Sequence, residues 1–116
     1  MSVIIIDSKL TKKDIEKARE DYEYYIKITI DIDGEIIALG GEYHADAEQV
    51  LVTRYNSKNK NIWGGGYNLR TKQFETNAIL NLKPISNPNV EILDQTAREK
   101  FLDLVTEKLD NIEQFT

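Results

Sequence analysis

Residues 26–32 alternate strictly between isoleucine and polar side chains, and this pattern constrains the fold more than any other feature of the chain. Successive side chains of a strand point to opposite faces, so the alternation predicts a strand with one buried face. Asp33-Gly34 follows directly, and this dipeptide favours a two-residue hairpin turn because both of its positions accept positive φ. We therefore expect a return strand over residues 35–39.

The turn also sets the register of this first hairpin. It places three pairs opposite each other: Ile32 with Glu35, Ile30 with Ile37, and Ile28 with Leu39. The inward face is then isoleucine and leucine. The face that points outward carries Lys27, Thr29, Ile36 and Ala38.

The rest of the chain predicts a second hairpin and three helices. We expect a strand over 3–6, a helix over 12–23 capped by Thr11, a short helix over 45–52, strands over 62–67 and 74–82, and a helix from Asp94 to about Ile112. A strand over 49–55 competes with the short helix. The order is β-α-β-β-α-β-β-α, which predicts a single α+β domain over residues 1–116. Its antiparallel sheet of two hairpins, with four to five strands, has one face covered by helices, two longer ones and one short one.

A four-residue loop around 69–72 would set the pairing of the second hairpin. Three pairs would then lie on one side of the sheet: Trp63 with Ala78, Gly65 with Thr76, and Tyr67 with Phe74. Leu80 and Leu82 would continue this side.

Composition excludes several classes of site. The chain has no cysteine and one histidine, which excludes disulfides, thiolate metal sites, a cysteine nucleophile and paired-histidine zinc motifs. No serine lies in a G-x-S-x-G elbow. No apolar run approaches the roughly 18 residues of a membrane span, and the first residues lack the basic region of a signal peptide. We therefore expect a cytoplasmic protein with no membrane partner.

The block GGEYHADAE, residues 40–48, contains that histidine among acidic residues at every second position: Glu42, His44, Asp46 and Glu48. In an extended chain, Glu42, His44 and Asp46 would share a face and suit a divalent metal. In a helix from Ala45, His44 and Glu48 would lie one turn apart. Either arrangement also suits acid/base catalysis. The structural alternative is that these groups serve as hydrogen-bond partners in a loop and at a helix N-terminus.

Three glycines, Gly64, Gly65 and Gly66, lie between Trp63 and Tyr67 in a predicted strand. Glycine within a strand costs backbone entropy and packs nothing, so a bulge, a packed helix or a ligand close to the backbone should compensate. The run lacks the spacing of a phosphate-binding loop. The structural alternative is a bulge flanked by core or edge aromatics.

Between residues 54 and 83, bases outnumber acids by six to one in a chain whose net charge is −5, so the rest of the chain carries −10. The candidate binding bases are Arg54, Lys58, Lys60, Arg70 and Lys72. They interleave with aromatic residues, a combination typical of proteins that bind single-stranded nucleic acid. The alternative is that these bases keep loops and an edge strand soluble.

The Gly40–Glu48 block, the Ser57-Lys58 segment leading to Trp63-Gly64, and the apolar stretch ending at Pro84 resemble a small prokaryotic family of a domain of unknown function. The resemblance covers roughly residues 25–110. The chain departs from the family pattern at Gly65-Gly66 and at Lys83, where the family has arginine. The resemblance implies one short soluble domain. It does not point to any particular activity. It makes Glu42, His44, Asp46 and Glu48 the first positions to test.

Two functions from different classes follow. The leading hypothesis is a non-enzymatic binding domain that uses the Trp63–Tyr67 strand and the basic 54–72 region to bind a protein or single-stranded nucleic acid, with no cofactor. The rival is a metal-assisted or acid/base enzyme site on Glu42, His44, Asp46 and Glu48, in which a divalent metal would be the cofactor. A homodimer is a further hypothesis, because a small open sheet leaves unpaired edges and because the Ile36 and Ala38 face needs cover.

Overall fold

A five-stranded antiparallel sheet forms the centre of the protein, in the order β1-β3-β2-β4-β5. The computed structural model describes residues 3–116. The strands are β1 Val3–Ile6, β2 Tyr25–Asp31, β3 Ile36–Gly40, β4 Ile62–Asn68 and β5 Gln73–Glu75. The helices are α1 Lys12–Ala18, α2 His44–Tyr55 and α3 Gln95–Lys108. This order of elements confirms the predicted α+β fold.

The first hairpin has the predicted register but a different turn. Ile30 pairs with Ile37 and Ile28 with Leu39, as expected. Strand pairing stops one step earlier than predicted, and residues 32–35 form the loop. The left-handed residue is Glu35, at φ 57°, rather than Asp33 or Gly34. The carboxylate of Asp31 accepts hydrogen bonds from the backbone N–H groups of Asp33 and Gly34, each at 3.0 Å, and this shapes the loop.

Helices cover both faces of the sheet. The isoleucine face packs against α1 and α3 in a core to which Ile15, Phe101 and Val105 belong. The opposite face lies beneath α2, whose Ala47 and Leu51 are buried. Thr29 and Ala38 lie on that face as predicted, but both are fully buried. The prediction that helices cover one face and leave this one open is therefore wrong. One reason given for a homodimer, an uncovered Ile36 and Ala38 face, is therefore not found.

The ends of the helices follow local capping chemistry. Thr11 and Asp14 form the expected capping box at the start of α1, but this helix ends at Ala18 rather than at residue 23. Tyr22 lies beyond it, and its hydroxyl donates to the Glu42 carbonyl at 2.6 Å. Within residues 3–116, none of the helices is long and apolar enough to span a lipid bilayer.

The other two helices begin close to their predicted starts. Gly40 and Gly41, at φ 86° and 96°, turn the chain from β3 into α2. The helix interpretation of this segment is confirmed and the competing strand is wrong. Asp94 caps α3 by accepting from the Ala97 N–H at 3.0 Å. This helix ends at Lys108, short of the predicted residue 112, and a short 3-10 helix follows at Ile112–Phe115.

The predicted strand over 74–82 is wrong beyond Glu75. Tyr67 pairs with Phe74 as expected, but the pairs of Trp63 with Ala78 and of Gly65 with Thr76 do not form. After β5 the chain leaves the sheet and forms an irregular segment, residues 76–93, which we call the strap. Leu82, expected to be inward, is half exposed.

Two buried asparagines hold the strap through side-chain hydrogen bonds. These bonds take the role that the backbone hydrogen bonds of a regular element would have. The Asn81 carboxamide accepts from the Gly64 N–H and donates to the Gly64 carbonyl, both at 2.8 Å, and it also donates to the Val90 carbonyl at 2.9 Å. The Asn87 carboxamide donates to the Asn81 and Glu91 carbonyls. Each side chain satisfies backbone groups that would otherwise be buried without partners.

We expect Asn81→Ala to lower the free energy of unfolding by about 3 kcal/mol, because it leaves the N–H and the carbonyl of Gly64 buried without the partners that Asn81 provides. Asn77→Ala is the matched control, since Asn77 lies in the same segment with an exposed side chain. It should change stability by less than about 0.5 kcal/mol. Urea unfolding curves of the two variants measure both values. A loss below about 1 kcal/mol for Asn81→Ala would show that its carboxamide does not hold the strap.

Candidate functional site

A groove of about 630 Å³ lies between the first turn of α2 and the strap, next to Tyr25 and Lys27 of β2. We call it the α2 groove. The strap lines one wall with apolar side chains, namely Ala78, Ile79, Leu80 and Val90. The other lining groups include four with hydrogen-bonding or charged atoms: Tyr25, Lys27, His44 and Glu48.

His44 is the first residue of α2 and packs against β4. Its Nε2 lies 2.8 Å from the Gly65 carbonyl oxygen. Because a carbonyl can only accept, Nε2 carries the proton and Nδ1 is left unprotonated in the neutral ring. Burial lowers the pKa of His44 to about 4, with a smaller contribution in the same direction from the charge of Lys27. The imidazole is therefore neutral at pH 7.

Lys27 extends from β2 into the same groove and lies against aromatic rings. Its Nζ is 4.9 Å from the ring centroid of Tyr22 and 5.8 Å from that of Tyr25. Burial lowers the pKa of Lys27 and raises that of Tyr25. The carboxylates of the described residues form no ion pair with Lys27.

The acidic residues of the 42–48 block do different work. Glu42 is exposed, and its carbonyl accepts from Tyr22. The Asp46 carboxylate accepts from the Tyr43 N–H at 3.2 Å and so caps α2. Glu48 lines the groove and accepts from the Asn59 side chain at 3.0 Å.

Alternate residues of this block do not share a face, because the helix begins at His44. Only the helical alternative, with His44 and Glu48 one turn apart, matches the structure. In the part of the chain that the structure describes, His, Asp and Glu side chains form no group of three that could hold a metal ion. The set of Glu42, His44 and Asp46 does not converge.

The three glycines of β4 are explained by close packing on both faces. A Cβ at Gly64 would lie 2.9 Å from both His44 and Ala78, whereas a Cβ at Gly65 would lie 2.8 Å from the ring of Phe101. A Cβ at Gly66 would overlap the Tyr25 ring. Pairing of β2 with β4 is continuous over the whole run, so the predicted bulge is wrong. The compensation comes from side chains of α2, α3, β2 and the strap that pack against the glycines.

The predicted binding strand lies inside the protein. Trp63 is 4% exposed and Tyr67 is 2% exposed, so both are core aromatics and neither can stack on a nucleobase in this conformation. Together with the three buried glycines, they make residues 63–67 a buried segment of the sheet.

The basic side chains do not gather around these aromatics. All five candidate binding bases are exposed: Arg54, Lys58, Lys60, Arg70 and Lys72. Arg70 stacks on the ring of Tyr24, 4.1 Å from its centroid. Lys83 donates to the carbonyls of Asn59 and Ile62 and lies 4.7 Å from the centroid of Trp63. Within residues 3–116, Trp63 and Tyr67 therefore do not belong to an exposed surface of alternating bases and aromatics.

Sequence reasoning missed most of the groove. The sequence predicted a strand at Ala78, Ile79 and Leu80. It also predicted an exposed side chain for Lys27, on a half-buried strand. The available signal was the density of asparagine and proline over residues 81–89, which argues against a regular element.

The low pKa of His44 makes stability depend on pH in a defined direction. The unfolded state takes up a proton near pH 6.5 and the folded state only near pH 4, so the stabilising contribution is complete above pH 6.5 and is lost as the pH falls towards 4. We expect the free energy of unfolding to fall by about 2 kcal/mol more between pH 7 and pH 5 in the wild type than in His44→Gln. Urea unfolding at both pH values measures this. Equal losses in the two proteins would contradict it.

Comparison of the chain with curated proteins and with solved structures finds no match. A family model described as "protein of unknown function (DUF5674)" matches residues 4–108. This agrees with the resemblance to a domain-of-unknown-function family seen in the sequence. The chain belongs to the DUF5674 family.

Proposed function

We propose that this protein is a binding domain whose site is the α2 groove and whose ligand is a small molecule with an apolar body. The observation that carries the proposal is the groove itself. Its volume of about 630 Å³ lies in the range of small-molecule sites, and its lining combines an apolar wall with a few polar groups, as such sites do.

Support for a preformed site comes from the way its walls are held. The Asn81 carboxamide ties the strap to β4, and the His44 ring ties the first turn of α2 to the same strand. Both contacts use backbone groups of adjacent residues, Gly64 and Gly65. A groove fixed in this way loses less entropy when a ligand enters than a mobile loop would.

The proposal keeps the binding hypothesis but moves its location. The Trp63–Tyr67 segment is buried within the sheet, so its side chains do not form an exposed binding surface. The exposed bases of the 54–72 region lie outside the lining of the groove.

A second candidate is acid/base catalysis in the same groove. It is favoured by the neutral His44 ring, whose unprotonated Nδ1 has the lone pair that a general base needs. Glu48 lines the groove one helical turn away. The Gly65 carbonyl holds the ring in one tautomer, as an orienting group does in other acid/base sites.

To test binding, Ala45→Trp places a large side chain in the lining, and Gln49→Trp adds the same side chain to an exposed position of α2 outside it. With 2-naphthol as a neutral probe, NMR shift changes in the wild type should map to His44 and the strap. We expect Ala45→Trp to weaken binding by about tenfold and Gln49→Trp to leave it unchanged. Absence of naphthol binding by the folded wild type would overturn the proposal, as would equal binding by the two variants.

The catalytic candidate makes a separate prediction about pH. A panel of 4-nitrophenyl esters tests it, and any His44-dependent hydrolysis should rise with pH around 4 and stay level from pH 5 to 8, because the base must be unprotonated. The activity should be lost in His44→Gln. A rate that persists in this variant, or that follows a group titrating near 6.5, would exclude His44 as the base.

A further inference from the structure

We propose that the α2 groove selects ligands that carry a carboxylate on their apolar body, and that the Lys27 ammonium binds this carboxylate. The inference rests on the proposed function, since it names the class of ligand for the same groove.

The first argument is the unusual situation of Lys27. It lies in the middle of the sheet, on β2, where it is half-buried and pairs with Gly66 of β4. Its Nζ faces the rings of Tyr22 and Tyr25, which contribute no strong hydrogen-bond acceptor from their faces. Within the described residues no carboxylate or carbonyl accepts a hydrogen bond from it.

Lys83 provides the contrast. Its ammonium is buried to a similar degree and lies over the Trp63 ring, but it donates to two backbone carbonyls, at 2.9 and 3.1 Å. The protein therefore satisfies Lys83 from within, as is usual for buried cations. Lys27 has the same kind of aromatic neighbour and lacks the acceptors, which leaves its donors available to a ligand in the groove.

The second argument is the charge around the groove. His44 is neutral, and Glu48 is engaged by Asn59 and interacts with Lys83. Asp46 caps α2, and Glu42 is exposed. Burial lowers the pKa of Lys27, and no carboxylate of the described residues opposes the effect. An anion beside this ammonium would offset the cost of its desolvation.

The third argument concerns which anion fits. One ammonium matches the single charge of a carboxylate, whereas a phosphate group carries nearly two charges and three acceptor oxygens. The apolar wall formed by Ile79, Leu80 and Val90 provides surface for a hydrocarbon or aromatic body. A ligand would therefore place its carboxylate at Lys27 and its apolar part against the strap.

Matched naphthalene probes test the inference: 2-naphthoate carries the charge, 2-naphthol is neutral, and 2-naphthylmethylamine is cationic. We expect the wild type to bind naphthoate at least about tenfold more tightly than naphthol, as a charged hydrogen bond allows, and to bind the amine most weakly. The preference for naphthoate should disappear in Lys27→Met and in Lys27→Gln. It should persist in Lys58→Met, which removes an exposed lysine outside the groove.

The outcomes separate the two proposals. Equal affinity for naphthoate and naphthol in the wild type would overturn the carboxylate proposal and leave the groove as a binding site, and so would a preference that survives both Lys27 substitutions. If none of the probes binds at the groove, both proposals are overturned. Retained naphthol binding in the Lys27 variants verifies that they are folded with an intact groove.

Discussion

At the edge of β4, the Asn81 carboxamide makes the hydrogen bonds that a neighbouring β-strand would otherwise make. The rest of the site depends on these hydrogen bonds. Strand β5 ends at Glu75, which would leave the backbone of Gly64 without a partner on that side. A side-chain amide presents an N–H donor beside a C=O acceptor, as a peptide group does, so Asn81 pairs with both groups of Gly64. The chain is thereby free to leave the sheet as the strap, and the strap forms one wall of the α2 groove.

The glycine run and the histidine block act together as one structural feature. Gly64 leaves room for the imidazole ring of His44. Gly65 supplies the carbonyl oxygen that accepts a hydrogen bond from the ring N–H at Nε2. On the opposite face Gly65 admits Phe101 of α3. A side chain at Gly64 would collide with the His44 ring, and one at Gly65 would collide with the backbone of Glu75 in β5 and with Phe101, so either would disturb the packing that buries His44. The two motifs that stand out most clearly in the sequence are thus distinctive for the same reason.

Local chemistry predicted the parts of the fold that depend on neighbours in sequence. The period of two placed Ile28 and Ile30 on one face, and the register predicted from the turn holds because the loop is longer by one residue on each side. Thr11 and Asp94 marked helix starts because caps act within three residues. The strand over 74–82 failed because its apolar residues fit a strand, while the deciding hydrogen bonds join Asn81 to Gly64, 17 residues away. The contact of His44 with Gly65 spans 21 residues and is equally invisible to local patterns.

The selectivity of the groove depends on one local contact, between the Lys27 ammonium and the ligand carboxylate. It does not depend on the electrostatic field of the whole protein. The chain carries a net charge of −5, so at long range it repels an organic anion and gives no electrostatic steering towards the groove. Lys27 acts only within the groove, where partial burial reduces screening by salt and water. Such an arrangement discriminates against anions too polar to enter, because only an apolar body that packs against the strap brings its carboxylate within reach of the ammonium. The acidity of the chain and its half-buried, unpaired cation therefore support selection of amphipathic ligands over simple anions.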